Sequence, residues 1–178
     1  MALFTIGHST RGLDELVGLL REHGIAVLAD VRTAPGSRRM PHFTKAALAA
    51  DLPARGIEYV HLPELGGLRR PRPDSPNAGW RNDSFRGYAD HMADLDFAAG
   101  LERLVEWSRD RHVAVMCAEA VPWRCHRSLI ADALLVRGEA VMHVIGPGRT
   151  QAAVLTPFAR VEGGRITYPG SVQEQFAL

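Results

Sequence analysis

Both cysteines of this chain lie between an apolar run that predicts a strand and an apolar pattern that predicts a helix. Cys117 follows the run Val113–Met116, whose β-branched and apolar residues are typical of a strand buried in a parallel sheet. Cys125 comes just before the segment 129–135, where apolar residues recur at helical spacing. Ligands of open α/β sheets bind at the C-terminal ends of the strands, so this stretch is where chemistry is expected.

The position of Cys125 predicts a reactive thiol. The free N–H groups and the positive dipole end of a helix stabilise a thiolate. Arg124, His126 and Arg127 flank this cysteine and add charge of the same sign. The same setting would also hold an oxyanion or a phosphate.

The alternative for Cys117 is a purely structural role, because a cysteine at the end of a buried strand is often only a small apolar residue. If both thiols are functional, one attacks or carries a group and the other resolves the intermediate. Helix-end position favours Cys125 as the attacking thiol, whereas strand-end position holds Cys117 more rigidly. Glu119 or a histidine would then move the protons.

Three other predicted strands also end in polar residues. His8 and Ser9 follow the strand Leu3–Ile6, Asp30 and Arg32 follow Ile25–Ala29, and His61 ends Gly56–His61. Helical patterns separate these strands, so the sheet is expected to be mostly parallel, with all these ends on one edge. An ion pair between Asp30 and Arg32 that only fixes the loop is an equally simple reading of that pair.

A thiol, imidazoles, carboxylates and arginines on one edge are the components of a nucleophilic site with an anion holder. The predicted catalytic residues are Cys117, Cys125, Glu119, His8 and His126. The predicted substrate-binding residues are Asp30, Arg32, Ser9, His61, Arg124 and Arg127. The expected partner is a small anionic molecule or a nucleotide, with no cofactor and no metal.

The predicted fold is α/β: a single-domain three-layer sandwich with a mostly parallel sheet of about five strands. A chain of 178 residues with 46% hydrophobic content is long enough for one domain with a substantial core. Residues 140–145 predict the fifth strand, and alternating runs around Gly163 and Gly164 predict a C-terminal β-hairpin. The α/β domain would span residues 1–150, and the tail 151–178 would pack on it.

The formal net charge of +1 gives the whole molecule no field that would predict nucleic-acid or membrane binding. The N-terminal residues lack the pattern of a signal peptide, and no apolar stretch is long enough to span a membrane. Two cysteines are too few for a disulfide framework. These features predict a cytoplasmic protein with no membrane partner.

Two other hypotheses remain from the residues alone. The first is a nucleic-acid or nucleotide-binding module that uses the arginine-rich loops, with Arg38, Arg39, Arg69, Arg70 and Arg72 as its phosphate contacts. The second is a metal site made from the cysteines and a nearby histidine. The separation of Cys117 and Cys125 is not a usual zinc-knuckle spacing, which makes the metal site the weaker of the two.

The chain also resembles a known family. The runs that carry the resemblance are Thr5–Ser9, Asp30–Arg32, Phe85–Ala89, Cys117–Glu119 and Cys125–Arg127. They are similar to the signature runs of the family catalogued as domain of unknown function 488, over roughly residues 3–148. That family has no established activity, and its cysteines suggest an enzyme, so the resemblance implies a site at Cys117 and Cys125 without naming a reaction.

A second resemblance, to rhodanese-like domains, rests on Asp30–Arg32, Cys117 and Arg127–Ser128. It would imply sulfur transfer at a cysteine that leads a strand-to-helix loop. The loop here is longer, lacks glycine and contains a second cysteine. These departures argue against backbone N–H groups converging on Cys117, and therefore against persulfide or phosphate-monoester chemistry.

Overall fold

A computed structural model describes residues 2–170 of the chain. Within these residues, a six-stranded sheet is covered by helices on both faces and is accompanied by a two-stranded hairpin. The strands are β1 (Leu3–Gly7), β2 (Ile25–Asp30), β3 (Glu58–His61), β4 (His112–Cys117), β5 (Val141–Gly146), β6 (Arg149–Ala152), β7 (Arg160–Glu162) and β8 (Arg165–Thr167). The helices are α1 (Leu13–Glu22), α2 (Lys45–Asp51), α3 (Asp83–His91), α4 (Leu95–Ser108) and α5 (Arg127–Val136).

The strands are apolar on both sides because each side of the sheet carries its own core. On β4, Val113 and Val115 belong to the core beneath α3, α4 and α5. Ala114 and Met116 belong to the opposite core, beneath α1 and α2. Successive side chains of a strand point to opposite faces, so a run without alternation requires burial on both. The predicted three-layer arrangement is confirmed.

The strand order is β3-β2-β4-β1-β5-β6, which places β4 between β1 and β2. These three strands are parallel, with Gly7 paired to Cys117 and Asp30 paired to Met116. Backbone bonds continue past the strand ends, from the His8 N–H to the Cys117 carbonyl at 3.0 Å. The C-terminal ends of β1, β2 and β4 are therefore immediate neighbours, as the sequence predicts.

The sequence does not predict β6, which pairs antiparallel with β5 at the sheet edge. All residues of Arg149–Ala152 are exposed. A strand with no buried face shows no apolar alternation, and so it lacks the signal from which the other strands are predicted. The C-terminal hairpin of β7 and β8 is confirmed.

The described part of the tail packs against the helices. Tyr168 is fully buried, and its hydroxyl donates to the Asp132 carboxylate at 2.8 Å. Its backbone N–H donates to the Asn77 side chain at 2.9 Å. Residues 171–178 of the predicted tail lie outside the described residues. In the part of the chain that is described, no helix has the length and apolarity needed to cross a membrane.

Gly7 is expected to be essential for the loop that follows β4. A Cβ atom at this position would overlap the Glu119 carbonyl oxygen and lie 2.7 Å from Nη1 of Arg127. Backbone cannot move aside as a flexible side chain can, so Gly7→Ala should lower the free energy of unfolding by about 1–3 kcal/mol in urea denaturation. Gly18→Ala is the matched control, since a Cβ on this exposed face of α1 meets nothing within 4 Å. The control should raise stability by up to about 1 kcal/mol, and equal effects of the two substitutions would contradict the close approach at Gly7.

Candidate active site

A pocket of about 450 Å³ opens at the C-terminal edge of the sheet. This volume lies within the range of small-molecule sites. Its walls come from the segments that follow β2, β3 and β4 and from the first residues of α3. The lining residues are Arg32, Thr33, Ala34, Gly67, Leu68, Ser84, Phe85, Cys117, Ala118, Glu119, Arg124, Cys125 and His126.

The sulfurs of Cys117 and Cys125 lie in direct contact with each other, and both residues form part of the pocket wall. The exposed fractions of the two residues are 2% and 4%. Because both residues are nearly buried and both line the pocket, a reagent must enter the pocket to reach either sulfur.

The two sulfurs have different surroundings. The backbone N–H of Arg127, at the start of α5, donates to Sγ of Cys125 at 3.5 Å. Nδ1 of His126 lies 3.6 Å from the same sulfur. Apart from Sγ of Cys125, the polar contact of Sγ of Cys117 among the described residues is an acceptor, the Glu119 carbonyl oxygen, at 3.9 Å. Within residues 2–170, Cys125 is therefore the cysteine whose sulfur has both a backbone N–H donor and a histidine ring nitrogen beside it.

The tautomer of His126 follows from its second hydrogen bond. Nε2 lies 3.2 Å from the carbonyl oxygen of Val31, which can only accept, and this contact favours the tautomer with the proton on Nε2. Nδ1 is then unprotonated and faces Cys125. Burial lowers the pKa of His126 to about 4, and the nearby Arg127 and Arg69 guanidinium groups act in the same direction. The ring is therefore neutral at physiological pH, and its lowered pKa makes it a weaker base than a free imidazole.

Packing holds the His126 ring in this position. Its centroid lies 4.9 Å from the Tyr88 ring, and Tyr88 is itself fixed by donation from its hydroxyl to the Leu65 carbonyl at 2.9 Å. Gly67 approaches the ring so closely that a Cβ atom would overlap it. The glycine pair after β3 is thus explained, at Gly67, by contact with a site residue.

Arg32 and Asp30 form a buried ion pair behind the pocket wall. The Asp30 carboxylate is fully buried and accepts from Nε and Nη2 of Arg32 at 2.8 and 2.6 Å. It also accepts from the Tyr59 hydroxyl at 2.7 Å, and burial together with this carboxylate raises the pKa of Tyr59. Nη2 of Arg32 donates further to the Phe43 carbonyl at 2.7 Å. The ion-pair reading made from the sequence applies to Asp30, which is fully buried and does not line the pocket, whereas Arg32 both pairs with Asp30 and lines the pocket.

His8 is engaged at both ring nitrogens. Nδ1 donates to the Ser9 carbonyl at 2.9 Å, and Nε2 accepts from Nη1 of Arg32 at 3.2 Å. Burial lowers the pKa of His8, which matches a neutral ring that accepts from a guanidinium. In this arrangement His8 orients Arg32. Its predicted catalytic role stays a prediction, since His8 does not belong to the pocket lining.

Arg127 lies beneath the loop that joins the two cysteines. The residue is fully buried, and its Nη2 donates to the Ala120 carbonyl at 2.9 Å. Its Nε and Nη1 atoms have no hydrogen-bond partner among the described residues. Burial lowers its pKa to about 10, with a further contribution from the nearby Arg11 charge. Arg127 therefore supports the loop from below and does not contact the pocket.

Two charged side chains of the lining are exposed: Arg124 and Glu119. Among the described residues, neither side chain makes an ion pair or a side-chain hydrogen bond. Nη1 of Arg32 also keeps one of its two N–H groups without a described partner, because it donates only to His8. The Arg124 and Glu119 side chains and this N–H group of Arg32 are therefore available to a ligand.

Six of the predicted site residues line one pocket: Cys117, Cys125, Glu119, His126, Arg32 and Arg124. Five lie behind its walls or at its margin: His8, Ser9, Asp30, His61 and Arg127. Sequence reasoning missed Tyr59, the second partner of Asp30, and the lining residues Thr33, Leu68, Ser84 and Phe85. Only Phe85 had a signal, since it belongs to one of the runs that carry the family resemblance.

Of the five arginines proposed for nucleic-acid contacts, two bond to other residues of the protein and the other three are exposed. Arg69 donates to the carbonyl of Gly66, and Arg72 pairs with Asp94 at 2.8 Å. Arg38, Arg39 and Arg70 are exposed, so the nucleic-acid hypothesis depends on these three. Among the described residues, no group of three or more histidine, cysteine, aspartate or glutamate side chains could hold a metal ion.

A family model described as domain of unknown function DUF488 matches residues 12–134. The chain belongs to this family. The DUF488 match includes both cysteines and His126, whereas His8 and Ser9 lie outside it. It names no reaction and does not test the resemblance to rhodanese-like domains. No curated protein and no solved structure matches the chain.

Proposed function

We propose that this DUF488 protein is a cysteine-dependent oxidoreductase that uses Cys117 and Cys125 as a redox pair on a small anionic substrate. The observation that carries the proposal is the pairing of the two sulfurs in the wall of a pocket of small-molecule size. An unprotonated ring nitrogen at 3.6 Å from one of those sulfurs supports it.

Cys125 is the attacking thiol in this proposal. Nδ1 of His126 accepts its proton, and the Arg127 backbone N–H stabilises the thiolate at the start of a helix. Because burial lowers the pKa of His126 to about 4, the ring holds the proton only in passing, and the backbone N–H of Arg127 rather than an imidazolium stabilises the thiolate.

The reaction transfers two electrons to the substrate. The Cys125 thiolate attacks an electrophilic sulfur of the substrate, the substrate bond to that sulfur breaks, and the leaving group departs with its electron pair. The Cys117 thiolate then attacks Sγ of Cys125, which forms the disulfide and releases the rest of the substrate as a second reduced fragment. The protons lost by the two thiols end on the fragments, with His126 and Glu119 as the pocket groups that carry them.

Arg124 and the spare N–H of Arg32 are the proposed anion contacts. Arg124 is exposed in the lining and has no described partner, so no competing carboxylate must be displaced. Arg32 is held rigidly by Asp30, which fixes the direction of its remaining N–H group.

The test uses the reduced protein and dithiobis(nitrobenzoate), a small aromatic disulfide that carries carboxylates and releases a coloured thiol. Wild-type protein should release about two equivalents with no stable mixed disulfide, because Cys117 resolves the adduct. Cys117→Ser should release about one equivalent at a similar rate and accumulate a mixed disulfide at Cys125, identified by peptide mass analysis. Cys125→Ser should react at least about tenfold more slowly, since Cys117 lacks the helix donor and the histidine.

Protein unfolded in guanidinium provides the reference rate for an unassisted thiol. Equal and slow reaction of the two single-cysteine variants, no faster than in the unfolded chain, would overturn the proposal. A stable mixed disulfide in the wild-type protein would show that Cys117 does not resolve, and would reject the redox pair.

A further inference from the structure

We infer that the thiol which reduces the Cys117–Cys125 disulfide is a low-molecular-weight thiol with a carboxylate, and that this compound enters the same pocket. This inference rests on the proposed function and adds the chemical class of the second reactant. A redox pair that has been oxidised needs a reductant before it can react again, and the pocket determines which reductant reaches it.

Access to the sulfurs favours a small reductant. The disulfide residues are exposed by only 2% and 4%, and the pocket that leads to them holds about 450 Å³. A folded protein that carries a thiol on its surface would have to insert a segment into this space. A compound of a few heavy atoms enters without moving the walls.

The charges of the lining favour an anion. Arg124 is exposed without a described partner, and Nη1 of Arg32 has a spare N–H. Glu119 is the acidic residue of the lining, and its charge is offset by the buried Arg127 beneath the same loop. A carboxylate on the incoming thiol would pair with Arg124 while its sulfur reaches the disulfide, which raises the local concentration of the reactive thiolate.

The two sulfurs also differ as leaving groups. An incoming thiolate that attacks Sγ of Cys117 breaks the disulfide and releases Cys125 as a thiolate. That thiolate is stabilised by the Arg127 N–H and is then protonated through His126. A second molecule of the small thiol then attacks the mixed disulfide at Cys117, at the sulfur that came from the first molecule. This step releases the disulfide of the two small-thiol molecules and leaves Cys117 as a thiolate. Two thiols are thus oxidised to one disulfide, and the protein gains two electrons and two protons.

The experiment compares three probes of similar size on the oxidised full-length protein: mercaptopropionate (anionic), mercaptoethanol (neutral) and cysteamine (cationic). The rate of disulfide reduction is measured by acid quench, alkylation and mass analysis at low ionic strength, and is divided by the concentration of each thiolate. We expect the anionic thiol to react about tenfold faster than the neutral one and the cationic thiol to be the slowest. Added salt should reduce the difference.

Arg124→Gln should remove most of the preference for the anionic thiol. Arg109→Gln is the matched control, because Arg109 is exposed at the end of α4, near the start of β4 and therefore at the opposite edge of the sheet. This variant should retain the preference. Equal rates for the three probes, or a preference that survives Arg124→Gln, would overturn the inference and leave the proposed cysteine chemistry intact. A disulfide that no thiol reduces would instead reject the proposed function, and the inference with it.

Discussion

His126→Ala in the reduced protein should slow the reaction of Cys125 with dithiobis(nitrobenzoate) by about a hundredfold at pH 7, which is typical of the loss of a positioned base. The reason is the tautomer set by the Val31 carbonyl, which leaves Nδ1 free to accept the thiol proton at 3.6 Å. The measurement is the initial rate of release of the coloured thiol, taken in the Cys117→Ser background so that only Cys125 reacts.

His61→Ala is the matched control for this experiment. His61 also bonds a backbone carbonyl through Nε2, that of Arg32 at 2.8 Å, but its ring does not line the pocket. Its loss should change the rate by less than about threefold. The difference in rate between the His126 variant and its parent should become smaller as the pH rises, because solvent then deprotonates the thiol without help. A deficit that stays constant up to high pH would assign His126 a merely structural role.

Asp30→Ala should lower the free energy of unfolding by about 3–5 kcal/mol, which is the cost of leaving a buried charge without its partner. Asp30 is fully buried, and the Arg32 side chain is only 11% exposed. The carboxylate accepts from three donors of Arg32 and from the Tyr59 hydroxyl. Denaturation by urea, followed by circular dichroism, gives the free energy difference.

Glu58→Ala is the matched control, because Glu58 is a carboxylate in an exposed ion pair at the start of β3. Glu58 pairs with Arg111, with side chains 51% and 34% exposed, so its loss should cost at most about 1 kcal/mol. If Asp30→Ala does not fold, Tyr59→Phe keeps the prediction testable, since it removes one hydrogen bond from the same carboxylate and should cost about 1 kcal/mol. If Asp30→Ala lowers the free energy of unfolding no more than Glu58→Ala does, the buried ion pair stabilises the fold no more than an exposed one, and the prediction is wrong.

Much of the fold could be predicted because its signals are local. Runs such as Val113–Met116 are apolar without alternation, which indicates a strand covered on both faces. The helical spacing after Cys125 and the glycines of the C-terminal hairpin are equally local. The strand β6 was not predictable in this way, because its exposed residues need no apolar pattern and its pairing is a property of the neighbouring β5.

The candidate site was predictable as a set of residues and not as an arrangement. The sequence placed Asp30 and Arg32 on one face of an extended segment, and left open whether they pair with each other or face a ligand. The structure decides that Asp30 is buried with Tyr59 and Arg32, while Arg32 also lines the pocket. That outcome depends on β3 lying beside β2, which no local pattern encodes.

By itself, the sequence determined which residues stand at the ends of buried strands and that both thiols belong to one strand-to-helix loop. Only the tertiary structure decided which sulfur has an imidazole nitrogen beside it, because the His126 ring is held by the carbonyl of Val31, a residue distant in the chain. The physical reason is that periodicity reports burial along one segment, whereas a hydrogen bond between segments depends on their order in the sheet. Here β4 inserts between β1 and β2, and this brings the loop after Cys117 against the end of β2.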